Sequence, residues 1–265
     1  MELSGNLHKM PVKLLDGKAH YTLELNDKKG DLNGALGEKI NLHFTGQINC
    51  INCGRKIKKA FGQGFCYPCF RDAPQASECI IHPERCRGHL GEGRDPEWEQ
   101  KHHVQPHFVY LAVSSGLKVG ITRETQIPTR WIDQGARAGI ILAKTTNRYE
   151  AGVIEVALKE HFADKTSWQR MLKGDIKDVD LLEEKEKARK FIPDEMSGFF
   201  YDENDIISIE YPLLESPNKV KSVKFDKEPT ISGTLTGIKG QYLILDNKFV
   251  TNIRNQSGYF VEVEV

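Results

Sequence analysis

The stretch that decides the fold reads FVYLAVSSGLKVGITRE at residues 108–124, IPTRWIDQGA at 127–136 and YEAGVIEVALKEHF at 149–162. Two short apolar runs, 109–113 and 117–121, flank a Ser-Ser-Gly turn, which is the pattern of a β-hairpin. Pro128 suits the first turn of a helix and Gly135 its end, so Arg130 sits in that first turn, close to where the second strand stops. Further on, Ala151, Ile154, Leu158 and Phe162 recur at helical spacing and define a buried face. At about 100° per residue, Glu155 falls within about 60° of the centre of that face. An ionised carboxylate among apolar neighbours is costly unless it is paired or holds a metal. Glu155 therefore needs a partner, either a metal ion or a neighbouring cation such as Arg130 or Lys118.

Outward from this centre, both ends of the chain read as β-structure. Tyr21–Leu25 and residues 40–44 alternate apolar and polar side chains around an Asp-Lys-Lys-Gly-Asp turn. Toward the C-terminus, Val223, Phe225, Ile231, Leu235, Leu243, Leu245, Val250, Ile253, Phe260 and Val263 lie in short runs separated by Ser-Gly, Lys-Gly and Asp-Asn turns. Gly-Ile-Lys-Gly at 237–240 is too short for a phosphate loop and reads as a turn. Neither end is long enough for a comfortable core alone, so the two are expected to pack together as one small β-barrel or sandwich. Trp131 and Trp168 read as core aromatics.

All six cysteines lie between Cys50 and Cys86. Cys50-x2-Cys53 and Cys66-x2-Cys69 flank GRKIKKAFGQGF, the spacing of two knuckles closing on one tetrahedral zinc ion, with Gly54, Gly62 and Gly64 placed for tight turns. Cys79-x2-His82-x3-Cys86-x2-His89 follows and offers a second zinc site. His102, His103 and His107 lie just downstream, so several ligand sets are open, with Cys79 and Cys86 the foremost members; the alternatives are one pair completing a different site, or a partly metal-free region. Grouped thiols of this kind fit a reducing compartment better than disulfides.

Lysine plus arginine (37) balances aspartate plus glutamate (37), which excludes a nonspecific polycation. Charge is nonetheless uneven. The loop between the knuckles carries Arg55, Lys56, Lys58 and Lys59 with Phe61 and Phe65 and no acid. Such a mixture neutralises phosphates and stacks on bases, or offsets the negative charge of a four-thiolate zinc centre. A second basic excess holds Lys118, Arg123, Arg130, Arg137, Lys144 and Arg148, and the compensating acid lies in 175–205, read as a solvated helix and loop. No run approaches the ~18 apolar residues of a membrane span, and the N-terminus has no signal-peptide core. The expectation is a soluble, cytoplasmic protein with no membrane partner.

Val109-Tyr110, then Lys118-Val119-Gly120-Ile121-Thr122, Arg130 on a helix and Glu155 in an Ala-x3-Glu-x2-Leu setting resemble the GIY-YIG endonuclease superfamily, in its variant branch with a Lys-aliphatic-Gly-Ile-Thr second motif. The resemblance covers residues 108–162. The whole arrangement of zinc knuckles, VYLA, KVGITR, RWIDQGA and a terminal GIKGQYL also looks like an uncharacterised family of microbial zinc-knuckle proteins. The superfamily resemblance implies phosphodiester hydrolysis with Mg2+ or Mn2+. Tyr110 would help activate water, Arg130 would stabilise charge on the phosphorane, and Glu155 would bind the metal. Lys118 stands where the second tyrosine belongs, as a phosphate clamp or a base.

Together these readings predict an α+β chain with four parts: an N-terminal β segment (1–48), a zinc-binding region (49–104), a GIY-YIG-like module (105–212) and a C-terminal β segment (213–265) packed with the first. The expected partner is nucleic acid, DNA ahead of RNA, contacted by Arg55, Lys56, Lys58, Lys59 and Arg123. Expected metals are structural zinc at one or both clusters and a divalent ion at the catalytic set. Two other readings stay open: a noncatalytic zinc-ribbon module for nucleic acid or protein, and a binder of a small phosphorylated ligand.

Overall fold

His107–Val113 is apolar at nearly every position, and each of its residues is buried. That composition suits a central strand covered on both faces. In the computed structural model, which describes residues 2–162, 167–176 and 178–265, it pairs antiparallel with Leu117–Arg123 on one side and Ala138–Thr145 on the other. Ile206–Ser208 completes a four-stranded antiparallel sheet at the outer edge of Ala138–Thr145. The predicted hairpin is present, with Tyr110 opposite Gly120 and Ala112 opposite Lys118. Directly opposed residues share a face, so Tyr110, Ala112, Lys118 and Gly120 lie on one side of the sheet.

This sheet belongs to one of two compact units, Asp72–Met171 with Asp175–Ser208. Its core joins Val109, Leu111, Val113, Val119, Ile140 and Leu142 to the predicted face of helix Arg148–Lys159, including Ala151, Ile154 and Leu158. Asn147 caps that helix by accepting from the Glu150 N–H at 3.1 Å. The acidic stretch forms helix Leu181–Arg189, capped by Asp180. It is only half solvated, because Leu181, Lys185 and Ala188 are buried and Leu181 and Ala188 pack it onto the same core. The helix predicted from Pro128 is a short one, Thr129–Asp133, stopped by Gly135 at φ 67°.

The other unit comprises Met1–Arg71, Leu172–Gly174 and Ile209–Val265. Strand Lys39–Asn49 lies between Tyr259–Glu264 and Thr230–Lys239, so the two ends of the chain share one sheet. The order runs Glu2–Asn6, Tyr259–Glu264, Lys39–Asn49, Thr230–Lys239, Tyr242–Leu245, Phe249–Asn252, Lys221–Ser222, with Lys56–Ile57 added against Lys39–Asn49. That order has two free ends, so of the two expected architectures the closed barrel is not formed. Val12–Leu15, Lys18–Leu25 and Lys28–Asp31 make a separate three-stranded sheet. Gln241 ties the ends together further, accepting from Met10 N at 2.8 Å and donating to Met10 O at 3.0 Å. The chain is thus mixed α+β, richer in strands than in helices. No helix among the described residues is long and apolar enough to cross a membrane.

Candidate functional site

Three clusters of chemistry-bearing side chains stand out, and each is built by local chain geometry. In the first, strand Lys39–Asn49 runs into Cys50 and returns through Gly54 (φ 72°) to Lys56–Ile57, which pairs back on the strand. The second knuckle turns at Gly62 and Gly64, both at positive φ, before Cys66 and helix Tyr67–Asp72. A Cβ on Gly62 would lie 2.6 Å from the Phe70 ring, so only glycine fits there. The sulfur atoms of Cys50, Cys53, Cys66 and Cys69 gather within 4.8 Å of one another. Burial raises the Cys50 thiol, but backbone N–H groups of Cys53, Cys66 and Asn52 outweigh it and bring the thiol down to about 6. Asn52 Nδ2 donates to Cys69 Sγ at 3.4 Å. Four sulfurs in this geometry, with amides stabilising thiolate, suit a tetrahedral zinc ion.

Around this cluster the side chains are open to solvent. Arg55, Lys56, Lys58 and Lys59 are exposed, and none forms an ion pair among the described residues. Tyr67 (58% exposed) and Phe70 (39% exposed) stand beside them, with Phe61 5.6 Å and 6.2 Å from their rings. Lys59 Nζ lies 5.5 Å over the Phe61 ring. Phe65 is buried instead.

The second cluster gathers donors from Cys79, Cys86, Glu99 and His103 within 4.8 Å, all four buried. Cys79 and Cys86 are the two thiols expected there. His82 and His89 lie outside: His82 is exposed beside Glu84, and His89 is exposed and stacked on Tyr149. Their places are taken by Glu99 and His103, one helical turn apart on the segment begun by helix Pro96–His102, which Asp95 caps. The Glu-x3-His spacing was the available signal in the sequence, since i and i+4 share a helix face. Cys86 Sγ lies 3.5 Å and Cys79 Sγ 3.8 Å from His103 Nδ1. The Cys79 thiol is brought down to about 4, chiefly by hydrogen bonding from Cys86, with His103 and Ser77 adding to it. Two thiolates, an imidazole and a carboxylate also form a donor set that suits zinc.

The third cluster lies on the hairpin. Tyr110 is fully buried, and its hydroxyl donates to Gln134 Oε1 at 3.0 Å with Arg130 beside it. A Cβ on Gly120 would lie 2.6 Å from that hydroxyl, so the glycine makes room for the ring. Burial holds the phenol above its ordinary range, opposed by Arg130. Glu155 is buried as its position on the helix implied, and burial raises its carboxyl. Lys159 on the same helix pairs with it, Nζ to Oε2 at 3.2 Å. Arg148 and the buried Lys118 supply further positive charge, and the Glu155 charge is felt at Tyr110. Tyr110 thus feels Arg130 and Glu155, and Glu155 feels Lys118.

The other basic residues of this region are occupied locally. Arg123 donates to His102 Nδ1 at 2.8 Å, Arg137 pairs with Asp178 at 3.0 Å, and Lys144 with Glu124 at 2.7 Å. Arg148 donates to the carbonyls of Cys79 and Ile80, both at 3.0 Å.

No curated protein and no solved structure matches the chain. One family model does, described as a protein of unknown function (DUF2797), and it aligns with residues 37–261 of the 265. The match takes in both cysteine clusters, the hairpin and most of the C-terminal strands, and the chain belongs to the DUF2797 family.

Proposed function

We propose that the protein is a zinc-containing nucleic-acid-binding protein in which Cys50, Cys53, Cys66 and Cys69 hold a structural zinc ion and the loop between them meets the nucleic acid. One observation carries this reading. Arg55, Lys56, Lys58 and Lys59 are exposed and unpaired by any carboxylate among the described residues, beside the exposed rings of Tyr67 and Phe70. Cys50 Sγ takes hydrogen bonds from the backbone amides of Cys53, Cys66 and Asn52, and Cys69 Sγ takes one from Asn52 Nδ2. Cations beside partly exposed aromatic rings neutralise phosphate and stack on unpaired bases.

Titrating a fluorescent single-stranded oligonucleotide with the full chain at several salt concentrations tests it. Affinity should fall with salt, and Lys56→Gln/Lys58→Gln/Lys59→Gln should flatten the log–log slope by about 2, at roughly 0.7 per phosphate contact. Tyr67→Ala and Phe70→Ala should each cost about 1–3 kcal/mol of stacking. Salt-independent binding, or binding untouched by these changes, refutes the reading.

A second reading, phosphodiester cleavage, is favoured by the grouping of Tyr110, Lys118, Arg130 and Glu155 and by their resemblance to the GIY-YIG set. Arg130 would stabilise charge on the phosphorane, and Glu155 would exchange Lys159 for Mg2+ or Mn2+. Tyr110, enclosed with its hydroxyl on Gln134, would have to be uncovered first. Incubation with branched, single-stranded and duplex DNA, with and without Mg2+ or Mn2+, distinguishes the two readings. Cleavage lost in Glu155→Ala supports the second, and binding without cleavage leaves the first alone.

A further inference from the structure

Residues 72–104 fold without an apolar interior. Their buried side chains are Ala73, Ser77, Cys79, Pro83, Cys86, Glu99 and His103, and four of these seven carry metal-ligating atoms. A segment made of short 3-10 turns and one two-turn helix cannot offset its ordering entropy with so little apolar burial. The polar interior instead converges on a single point. Cys79 Sγ at 3.8 Å, Cys86 Sγ at 3.5 Å and Glu99 Oε2 all close on the one ring nitrogen, His103 Nδ1. One ring proton serves one partner, whereas a cation among these four buried ligating atoms serves all of them.

We propose that Cys79, Cys86, Glu99 and His103 hold a second zinc ion, and that this ion fixes the start of helix Arg148–Lys159. Two soft thiolates with one imidazole and one carboxylate select zinc over magnesium or calcium, which take oxygen ligands. Four protein ligands leave no open position, so the site is structural. Ser77 Oγ, 3.2 Å from Cys79 Sγ, and the Gly88 backbone N–H at Cys86 serve as supporting donors to the sulfurs.

The coupling to the helix rests on separate contacts. Arg148 N donates to His103 O at 2.9 Å, and its guanidinium holds the carbonyls of Cys79 and Ile80. Within the same helix, Gly152 presses on the loop between the two thiols so closely that a Cβ would lie 2.3 Å from Glu84 N. Loss of the ion would loosen the surface against which the helix bearing Glu155 is seated.

Elemental analysis and native mass spectrometry of the full chain, purified without chelators, test the site. Two zinc ions per chain are expected, falling to one in Cys86→Ser and in His103→Ala and remaining two in His82→Ala/His89→Ala. X-ray absorption at the zinc edge of the wild-type chain decides the matter even where a variant fails to fold. One four-sulfur and one two-sulfur centre average to about three sulfurs per ion. A single zinc with a purely sulfur shell, or zinc lost with His82 and His89, overturns the site. Amide exchange over residues 148–155 should quicken at least about tenfold in His103→Ala. Unchanged exchange in the zinc-depleted variant overturns the coupling.

Discussion

His107 opens the central strand with its ring fully enclosed. Nδ1 donates to Gln105 O at 2.7 Å, while Nε2 has no hydrogen-bond partner among the described residues. Burial brings this imidazole down to about 3. The unfolded chain takes up the proton near 6.5, so between those values the unfolded state binds more protons and stability falls as pH falls. The expected slope from this one group is about 1.4 kcal/mol per pH unit below pH ~6.5. Chemical denaturation from pH 7 to pH 4 should show a shallower decline in His107→Gln than in the wild type; parallel curves would place the acid sensitivity elsewhere. At this scale the sequence revealed where a charge is buried better than what meets it. Helical phase put Glu155 on the apolar face, where it lies, because burial of a face follows from spacing alone. Beside the charge of Lys118 stands Lys159, one turn away in an arrangement any Glu-x3-Lys helix offers. Glu99 is illegible in the sequence for its own reason: a lone acid in a charged helix reads as surface until the fold shows which face is covered.

Helix Arg148–Lys159 shows how packing and propensity compete within one element. Gly152 sits mid-helix, where alanine is intrinsically favoured by about 1 kcal/mol. Against that gain, a Cβ would fall 2.3 Å from Glu84 N and 2.4 Å from the Pro83 carbonyl carbon, both backbone atoms that can yield only by shifting the Pro83–Arg85 turn. Overpacking of this kind costs about 1–3 kcal/mol, so Gly152→Ala should be net destabilising by up to about 2 kcal/mol. Gly116→Ala, where nothing lies within 4 Å, should change stability by less than about 0.5 kcal/mol. Denaturant midpoints of the two variants check both values. The zinc knuckles invite a second comparison. Metal affinity there is part of folding free energy, so Cys50→Ser should remove one zinc and the ordered pairing of Lys56–Ile57 on Lys39–Asn49, while His89→Ala, exposed on Tyr149, should remove neither. Zinc content with circular dichroism reads both. Cys-x2-Cys spacing made the first cluster legible because a knuckle is a local structure. The second is assembled from two turns and a helix, and spacing over such a span names the thiols without naming what closes on them.

On the scale of the whole chain, alternation identified strands at both ends but not their neighbours, because a period of two fixes which face a residue takes and says nothing about which strand lies alongside. That the ends pair at all follows from how little apolar surface either can bury by itself. Their order comes from long-range register, as in Val263 opposite Leu42 and Ile231 opposite the same residue from the other side. The resulting topology gives the C-terminus unusual weight. Tyr259–Glu264 lies between Glu2–Asn6 and Lys39–Asn49, and its first residue pairs with Ile48, two residues before Cys50. Asn49 N also donates to Gly258 O at 2.8 Å, just ahead of that strand. A chain ending at Gly258 loses the buried side chains of Tyr259, Val261 and Val263 and the partner of two strands at once. Burial of each such side chain contributes about 1.5–3 kcal/mol, so the loss approaches the whole stability of a small domain. The expected outcome is loss of the zinc held by Cys50, Cys53, Cys66 and Cys69, together with the cooperative melting of the unit that contains them. The sheet of Asp72–Met171 and Asp175–Ser208, whose strands all come from within that unit, should keep its protected amides. Hydrogen exchange and zinc analysis of the truncated chain measure both; retention of the four-cysteine zinc would show that the knuckles fold without the strand that adjoins them.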